Sequence, residues 1–188
     1  MLSHKTKEEL EAGLTEVRKS PLNYGELKLI VRRPKIDARE VLEQGELDMA
    51  TGLVGDCWGT RGSSSTADRK AHPLKQITVM NARCIELLAG EKQNWPLAGD
   101  QLYVDMNLGY ENIPPGTQLA LGDAIIEVTE PPHRGCKKFS ARFGQEAMRF
   151  VNSEAGRELN LRGINAIVIK KGKITMGNVL QKTESYQG

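Results

Sequence analysis

At residues 119–128 the chain reads LALGDAIIEV. Apolar residues alternate with other residues on both sides of the pair Gly122-Asp123. Apolar runs around a two-residue connection that begins with glycine are typical of a tight β-hairpin. The sequence therefore predicts two antiparallel strands here, joined at Gly122-Asp123.

Strand patterns continue on both sides of this hairpin. Alternation of apolar and polar residues predicts strands near residues 27–33, 76–80 and 101–108, and a second hairpin joins residues 164–169 to 174–179. Few long helices alternate with these strands. We therefore expect a mostly β, α+β fold, a closed antiparallel or mixed β-barrel with peripheral helices, rather than a doubly wound parallel sheet.

The first predicted helix covers residues 4–18, where Leu10, Leu14 and Val17 share one helical face. It forms an N-terminal helical appendage, residues 1–20, and the barrel domain takes residues 21–188.

Two more helices are predicted from their caps. One covers residues 37–44 and begins at Asp37, and the other follows Asn81 and ends near Gly90. Between residues 45 and 73 the periodicity is lost and glycine is frequent, which favours a functional loop over a merely mobile one.

Length and charge exclude several classes of protein. The chain has 188 residues and a formal net charge of +2, which suits one domain, or one with an appendage, and gives no overall attraction to nucleic acid. The longest apolar run, residues 166–169, is far too short to span a membrane. The first seven residues lack the apolar region of a secretory signal. We expect neither nucleic acid nor membrane as a partner.

The three cysteines are Cys57, Cys84 and Cys136. They are too few for a disulfide framework and have no C-x-x-C spacing, so the sequence predicts a reducing, cytoplasmic location and no zinc ribbon or iron–sulfur cluster. Cys84 lies on the helix after Asn81 and is expected in the core. Cys57 lies in the glycine-rich segment, where it is either exposed or part of a pocket.

Cys136 follows a predicted strand, precedes a predicted helix and has basic neighbours. Positive charge and a helix N-terminus both favour a thiolate, the form of cysteine that attacks electrophiles and binds soft metals. The alternative is a small buried apolar side chain, which is the usual state of a free cysteine. If its segment meets the glycine-rich segment, arginines and lysines would surround a thiol in an anion-binding cleft. If the two segments do not meet, these arginines and lysines are ordinary solvated surface charges.

Three stretches together resemble the MOSC domain, the family named for the C-terminal domain of molybdenum-cofactor sulfurase. The stretches are GLVGD at residues 52–56, LGDAIIEVTEP at residues 121–131, which leads to the position of the family's cysteine at Cys136, and the segment from Arg162 to Asn178. The match runs from about residue 27 to 179. Gly135 stands where the family often has proline, Asn178 where it usually has aspartate, and Cys57-Trp58 where it usually has Arg-His.

The resemblance implies a β-barrel similar to the one inserted in pyruvate kinases, and it associates the chain with molybdenum cofactor and, at family level only, with pyridoxal phosphate. Cys136 would be the catalytic residue and the molybdenum ligand, in an enzyme that reduces N-hydroxylated or similar oxidised small molecules. The cofactor phosphate or the substrate would be held by Asp56, Arg61, His133, Arg134, Lys137 and Arg142.

Two other functions remain open from the sequence. Cys136 could carry a persulfide for the maturation of molybdenum cofactor or of metal–sulfur clusters, or it could be structural in a non-enzymatic anion-binding module. The expected partners are an electron-donor protein or a sulfur-donating desulfurase, together with a small-molecule substrate. The N-terminal helix is a candidate contact for a homodimer.

Overall fold

The computed structural model describes residues 3–63 and 66–183. Within them, seven strands close a mixed β-barrel in the order β11-β7-β8-β9-β5-β6-β1, with β1 pairing back to β11. The strands are β1 Tyr24–Arg32, β2 Glu40–Leu42, β3 Gln44–Asp48, β4 Gly52–Leu53, β5 Ile77–Asn81, β6 Leu102–Asp105, β7 Gln118–Leu121, β8 Ala124–Val128, β9 Ile164–Lys170, β10 Gly172–Thr175 and β11 Val179–Lys182. The predicted barrel is thus confirmed.

The hairpin predicted at Gly122-Asp123 is confirmed. Strands β7 and β8 pair antiparallel, with Leu121 opposite Ala124, and Gly122 has a φ of 57°. A positive φ is the backbone conformation that two-residue hairpin turns require and that glycine adopts at little cost.

The second predicted hairpin, across residues 164–179, is wrong. Strand β9 pairs with β5 and β8, whereas β10 leaves the barrel and pairs with β3 in a small three-stranded sheet. One residue separates β9 from β10, which is too few for the two strands to fold back on each other. Gly172 instead lies against the β7–β8 turn, where a β-carbon would come within 2.4 Å of the carbonyl carbon of Asp123.

Six α-helices and two 3₁₀ turns surround the barrel in the described residues. They are α1 Lys7–Arg18, α2 Trp58–Arg61, α3 Ala82–Ala89, α4 Lys137–Phe143, α5 Gln145–Asn152 and α6 Glu154–Glu158, with 3₁₀ turns at Pro73–Lys75 and Lys92–Ala98. The predicted cap of α3 is confirmed, because Asn81 Oδ1 accepts the Cys84 N–H at 2.9 Å.

The helix predicted over residues 37–44 is absent. Asp37 has a φ of 63°, and β2 pairs instead with β1, Leu42 lying opposite Ile30. The pairing with β1 outweighs the local helical signal, since tertiary context overrides weak propensity. The segment from 45 to 73 is also more regular than predicted, because it contains β4, α2 and all of β3 except its first residue.

Two apolar cores hold the molecule together. One fills the barrel, and the other lies between the barrel wall and the helices, where Tyr103 and Phe139 are among the largest fully buried side chains. Helix α1 adds Leu10 and Val17 to this second core. No helix in the described part of the chain is long and apolar enough to cross a membrane.

Candidate functional site

The three cysteines occupy different environments. Cys136 is exposed and is the N-cap residue of α4, whereas Cys57 and Cys84 are buried. Burial raises the pKa of the Cys84 thiol to about 12, and its Sγ lies 3.2 Å from the carbonyl oxygen of Leu161. The core position predicted for Cys84 is what the structure shows. That Cys136 is a reactive thiolate stays a prediction.

A buried ion pair lies beneath the Cys136 segment. Arg162 Nη1 donates to Asp100 Oδ2 at 2.6 Å, and both side chains are almost fully buried. A carboxylate that is fully withdrawn from water requires such a partner, because an isolated charge is costly in the interior.

Residues on both sides of Cys136 contact this pair. His133 Nδ1 lies 3.4 Å from Asp100 Oδ1, and the guanidinium of Arg162 lies 4.9 Å from the centre of the Phe139 ring. Cys136 is midway between His133 and Phe139 in the chain. Because three extended residues span at most about 10–11 Å, the backbone of Cys136 stays within that distance of His133.

A second buried pair orients another arginine. Arg33 donates to Asp56 through Nε at 2.8 Å and through Nη2 at 2.7 Å, and the backbone N–H of Arg33 also reaches Asp56 Oδ2. The Asp56 side chain is fully buried and also accepts the N–H of Trp58. Asp56 therefore fixes the planar fork of Arg33 rather than facing solvent.

Four arginines converge on the end of the 3₁₀ turn Lys92–Ala98. The four successive carbonyls from Pro96 to Gly99 each accept one guanidinium N–H, and that of Pro96 also accepts the backbone N–H of Gly99. The bonds run from Arg39 to Pro96 O (3.2 Å), Arg142 to Leu97 O (2.7 Å), Arg162 to Ala98 O (3.0 Å) and Arg33 to Gly99 O (3.0 Å). Four cations are thereby held on four consecutive residues.

Arg61 completes the group, which we call the arginine cluster: Arg33, Arg39, Arg61, Arg142 and Arg162. Partial burial lowers the pKa of Arg61, and Arg33 and Arg39 lower it further. Burial likewise lowers the pKa of Arg39, with contributions from Arg142 and Arg33. Arg33, Arg142 and Arg162 have carboxylate partners in Asp56, Asp37 and Asp100, so the positive charge left to attract an anion lies chiefly at Arg39 and Arg61.

His133 is neutral in this field. Burial lowers its pKa well below the usual range, and the nearby cations Arg162 and Arg33, then Lys75 and Arg61, lower it further. Within the described residues, three buried polar atoms around the first ion pair have no hydrogen-bond partner: His133 Nδ1, Asp100 Oδ1 and Arg162 Nε.

The structure brings some of the predicted site residues together. Arg61, His133 and Arg142 meet at the arginine cluster, whereas Arg134 and Lys137 are exposed beside Cys136. Sequence reasoning missed three of the clustered arginines and one buried carboxylate: Arg33, Arg39, Arg162 and Asp100. A partial signal was present, because Arg162 lies in one of the three stretches that carry the family resemblance.

A metal at Cys136 would have few ligands from the protein. No group of three or more His, Cys, Asp or Glu side chains suited to a metal ion occurs among residues 3–63 and 66–183. One thiolate supplies a single soft ligand, so the remaining ligands would have to come from the cofactor itself.

Comparison with known proteins gives a likeness in fold. No family model and no curated protein matches the sequence. Among solved structures, the YuaD protein from Bacillus subtilis is similar, with a TM-score of 0.63 and 16% identity over 87% of this chain and 97% of that one. YiiM from Escherichia coli has a TM-score of 0.55 and 19% identity over 89% of this chain and 73% of that one. YuaD and YiiM are MOSC-domain proteins, so this fold is consistent with a MOSC-like one.

Proposed function

We propose that the protein binds molybdenum cofactor, with the Cys136 thiolate as the protein ligand of molybdenum, and reduces N-hydroxylated or similar oxidised small molecules. One observation supports this most directly. An exposed thiol at the start of α4 lies between His133 and Phe139, and both of those contact the Asp100–Arg162 pair within the arginine cluster.

The residues present fit such a group. Molybdenum cofactor is a phosphorylated pterin whose dithiolene holds the metal, so it needs a soft ligand beside cations that bind phosphate. The exposed Cys136 thiol supplies the first requirement. The mutual repulsion of Arg33, Arg39 and Arg61 supports the second, because a phosphate among them would relieve it.

Each residue has a distinct part in this proposal. Arg39, Arg61 and Arg142 would hold the phosphate, while Asp56 acts through Arg33 by fixing its guanidinium. The exposed Arg134 and Lys137, which flank Cys136 in sequence, would hold substrate or the outer part of the cofactor. The binding roles predicted for these residues stay predictions.

When bound, the cofactor supplies a two-electron redox centre at which an oxygen atom is removed from the substrate. The chain itself orients that centre through Cys136 and offers a neutral imidazole nearby. Because burial and the nearby cations hold His133 neutral, its imidazole would offer an uncharged hydrogen-bonding group to a bound substrate rather than act as a base, and its Nδ1 lies 3.4 Å from Asp100 Oδ1. The electrons would come from a donor protein, which is the expected partner.

The metal content of the protein tests this proposal. Wild type, Cys136→Ser and Cys84→Ala are purified from cells that make the cofactor, and molybdenum is measured by elemental analysis and pterin by fluorescence. We expect both in wild type and in Cys84→Ala, and loss of molybdenum in Cys136→Ser. Cys84→Ala is the matched control, since it removes a thiol buried in the core. Wild type without molybdenum or pterin would contradict the proposal.

A second candidate uses the same thiol as a persulfide carrier that receives sulfur from a desulfurase. The exposure of Cys136 favours it, because transfer between proteins needs an accessible sulfur. The same preparations separate the two candidates. Cyanide-labile sulfur on Cys136 without bound metal would support the carrier. Absence of metal, pterin and labile sulfur would leave a binding module with a structural Cys136.

A further inference from the structure

A cavity of about 260 Å³ is lined in part by the segment that leads to Cys136. It is formed where residues 110–115, 128–134 and 157–165 meet. His133 lines this cavity and also lies 3.4 Å from Asp100, so its side chain contacts both the cavity and the buried pair Asp100–Arg162.

The lining of the cavity combines ring surfaces with cations. Tyr110, which is 60% exposed, lines the cavity together with Pro131 and Pro132. Arg134 and Arg157 also line it, and neither has an ion-pair partner within residues 3–63 and 66–183.

The charges favour a small anion. The ionisable side chains that line the cavity are those of two arginines, one glutamate (Glu130), Tyr110 and His133, and burial keeps His133 neutral. The cationic excess attracts a carboxylate, which an arginine fork binds through two parallel hydrogen bonds.

The dimensions and surfaces favour a planar ring. A cavity of about 150 Å³ is enough for benzene in another protein, so 260 Å³ accommodates one substituted ring. The phenol of Tyr110 and the guanidinium groups both present flat faces on which an aromatic ring stacks.

We propose that this cavity is a binding site for a small aromatic carboxylate. Its assignment as the substrate site, which would bring a reducible group of such a molecule beside His133, rests on the proposed function. Binding of the carboxylate itself does not, because it requires neither the cofactor nor Cys136.

Binding of benzoate to the purified protein tests the inference, measured by calorimetric titration and by ligand-detected NMR. We expect saturable binding with a Kd of about 1 mM or tighter. Benzamide, which has the ring without the charge, and cyclohexanecarboxylate, which has the charge without the aromatic ring, should each bind about tenfold more weakly.

Variants locate the site. Arg134→Gln and Arg157→Gln should each weaken benzoate binding about five- to tenfold. The matched control is Arg149→Gln, because Arg149 is an exposed arginine on α5 outside the cavity. This substitution should leave the affinity for benzoate unchanged.

Absence of saturable benzoate binding, equal affinity for benzamide, or insensitivity to both cavity substitutions would overturn the inference. Because molybdenum content is measured separately, failure of this site and failure of the proposed function are distinguishable. If Cys136→Ser loses molybdenum and no variant binds benzoate, the proposed function is supported and the carboxylate site is ruled out.

Discussion

Asp100 and Arg162 are 62 residues apart in sequence, yet Arg162 Nη1 lies 2.6 Å from Asp100 Oδ2 in the interior. The pair joins the end of the 3₁₀ turn Lys92–Ala98 to the start of β9. His133 contacts its carboxylate and Phe139 its guanidinium. The position of the segment that carries Cys136 is therefore tied to one buried ion pair.

Removing the charge of Asp100 should lower the free energy of unfolding of the protein. In Asp100→Asn the guanidinium of Arg162 stays buried without its counter-charge, and breaking a buried pair in this way costs about 3–5 kcal/mol. Urea denaturation of both proteins measures the difference in the free energy of unfolding. The control is Asp123→Asn in the exposed β7–β8 turn, expected within about 0.5 kcal/mol of wild type. A similar small effect for Asp100→Asn would contradict the structural role given to the pair.

The neutral state of His133 should make stability fall in mild acid. Its pKa is lowered well below the unfolded value of about 6.5, so the unfolded chain binds a proton that the folded chain does not. The contribution is therefore fully present above about pH 6.5 and is lost as the pH falls from there towards the folded pKa. The slope is at most about 1.4 kcal/mol per pH unit for one proton.

Denaturation of wild type, His133→Gln and His4→Gln at a series of pH values tests this. In His133→Gln the free energy of unfolding should decrease less steeply with falling pH below about pH 6.5. His4 is exposed on the N-terminal segment, and its replacement is the matched control. The cations around His133 are Arg162, Arg33, Lys75 and Arg61, and Asp100 is the acidic group that faces it. An unchanged slope in His133→Gln would show that another group titrates.

Local patterns predicted the local parts of this fold. The β7–β8 hairpin and the Asn81 cap depend on residues within a few positions of each other, and both are confirmed. Strand β10 was assigned to the wrong partner, because its pairing with β3 joins Gly172 to Leu47 across more than a hundred residues. The 37–44 segment failed for a different reason, because its pairing with the nearby strand β1, with Leu42 opposite Ile30, outweighs the helical signal within the segment itself.

The site was predicted in part for a comparable reason. The charges near Cys136 are visible in the sequence, and Arg61, His133 and Arg142 were identified. Which carbonyl or carboxylate each arginine meets depends on the barrel closing, so Arg33 and Arg162 were not identified as site residues. Burial of both is a property of the folded chain and has no local signature.

Thiol reactivity should separate the three cysteines. In the native protein one thiol per chain should react rapidly with a disulfide reagent, because Cys136 is exposed while Cys57 and Cys84 are buried. All three should react after denaturation. Cys136→Ser should abolish the rapid phase and Cys84→Ala should retain it. Two rapid thiols in the native wild type would show that Cys57 is also accessible.

An anion should stabilise the arginine cluster. Inorganic phosphate that binds only the folded chain raises the free energy of unfolding by about 2.7 kcal/mol at 100 times its Kd. Arg61→Gln should reduce this gain, because Arg61 lies in the field of Arg33 and Arg39. Arg18→Gln on the exposed face of α1 is the control, and sodium chloride at equal ionic strength corrects for screening. If phosphate and chloride raise the free energy of unfolding equally, the proposed anion site is contradicted.

Substitution of three glycines by alanine should distinguish the cost of a strained backbone from the cost of a close atomic contact. The close contact occurs at Gly163, just before β9. Gly163 has a φ of 108°, and a β-carbon there would lie 2.4 Å from the carbonyl oxygen of Val79 on β5. Gly177 has a φ of 89° but no atom within 4 Å of the same position, and Gly59 in α2 has neither constraint. Gly59→Ala should therefore be neutral or stabilise by about 0.5–1 kcal/mol.

Gly177→Ala should cost about 1 kcal/mol or more from strain, and Gly163→Ala about 3 kcal/mol or more, because the strand of Val79 must also move. Urea denaturation ranks the three variants. Gly163→Ala should in addition displace its neighbour Arg162, so that the resonances of His133 and Phe139 shift in this variant and stay in place in Gly177→Ala. Equal costs for the two variants would mean that the close contact with β5 is relieved without disturbing the buried pair.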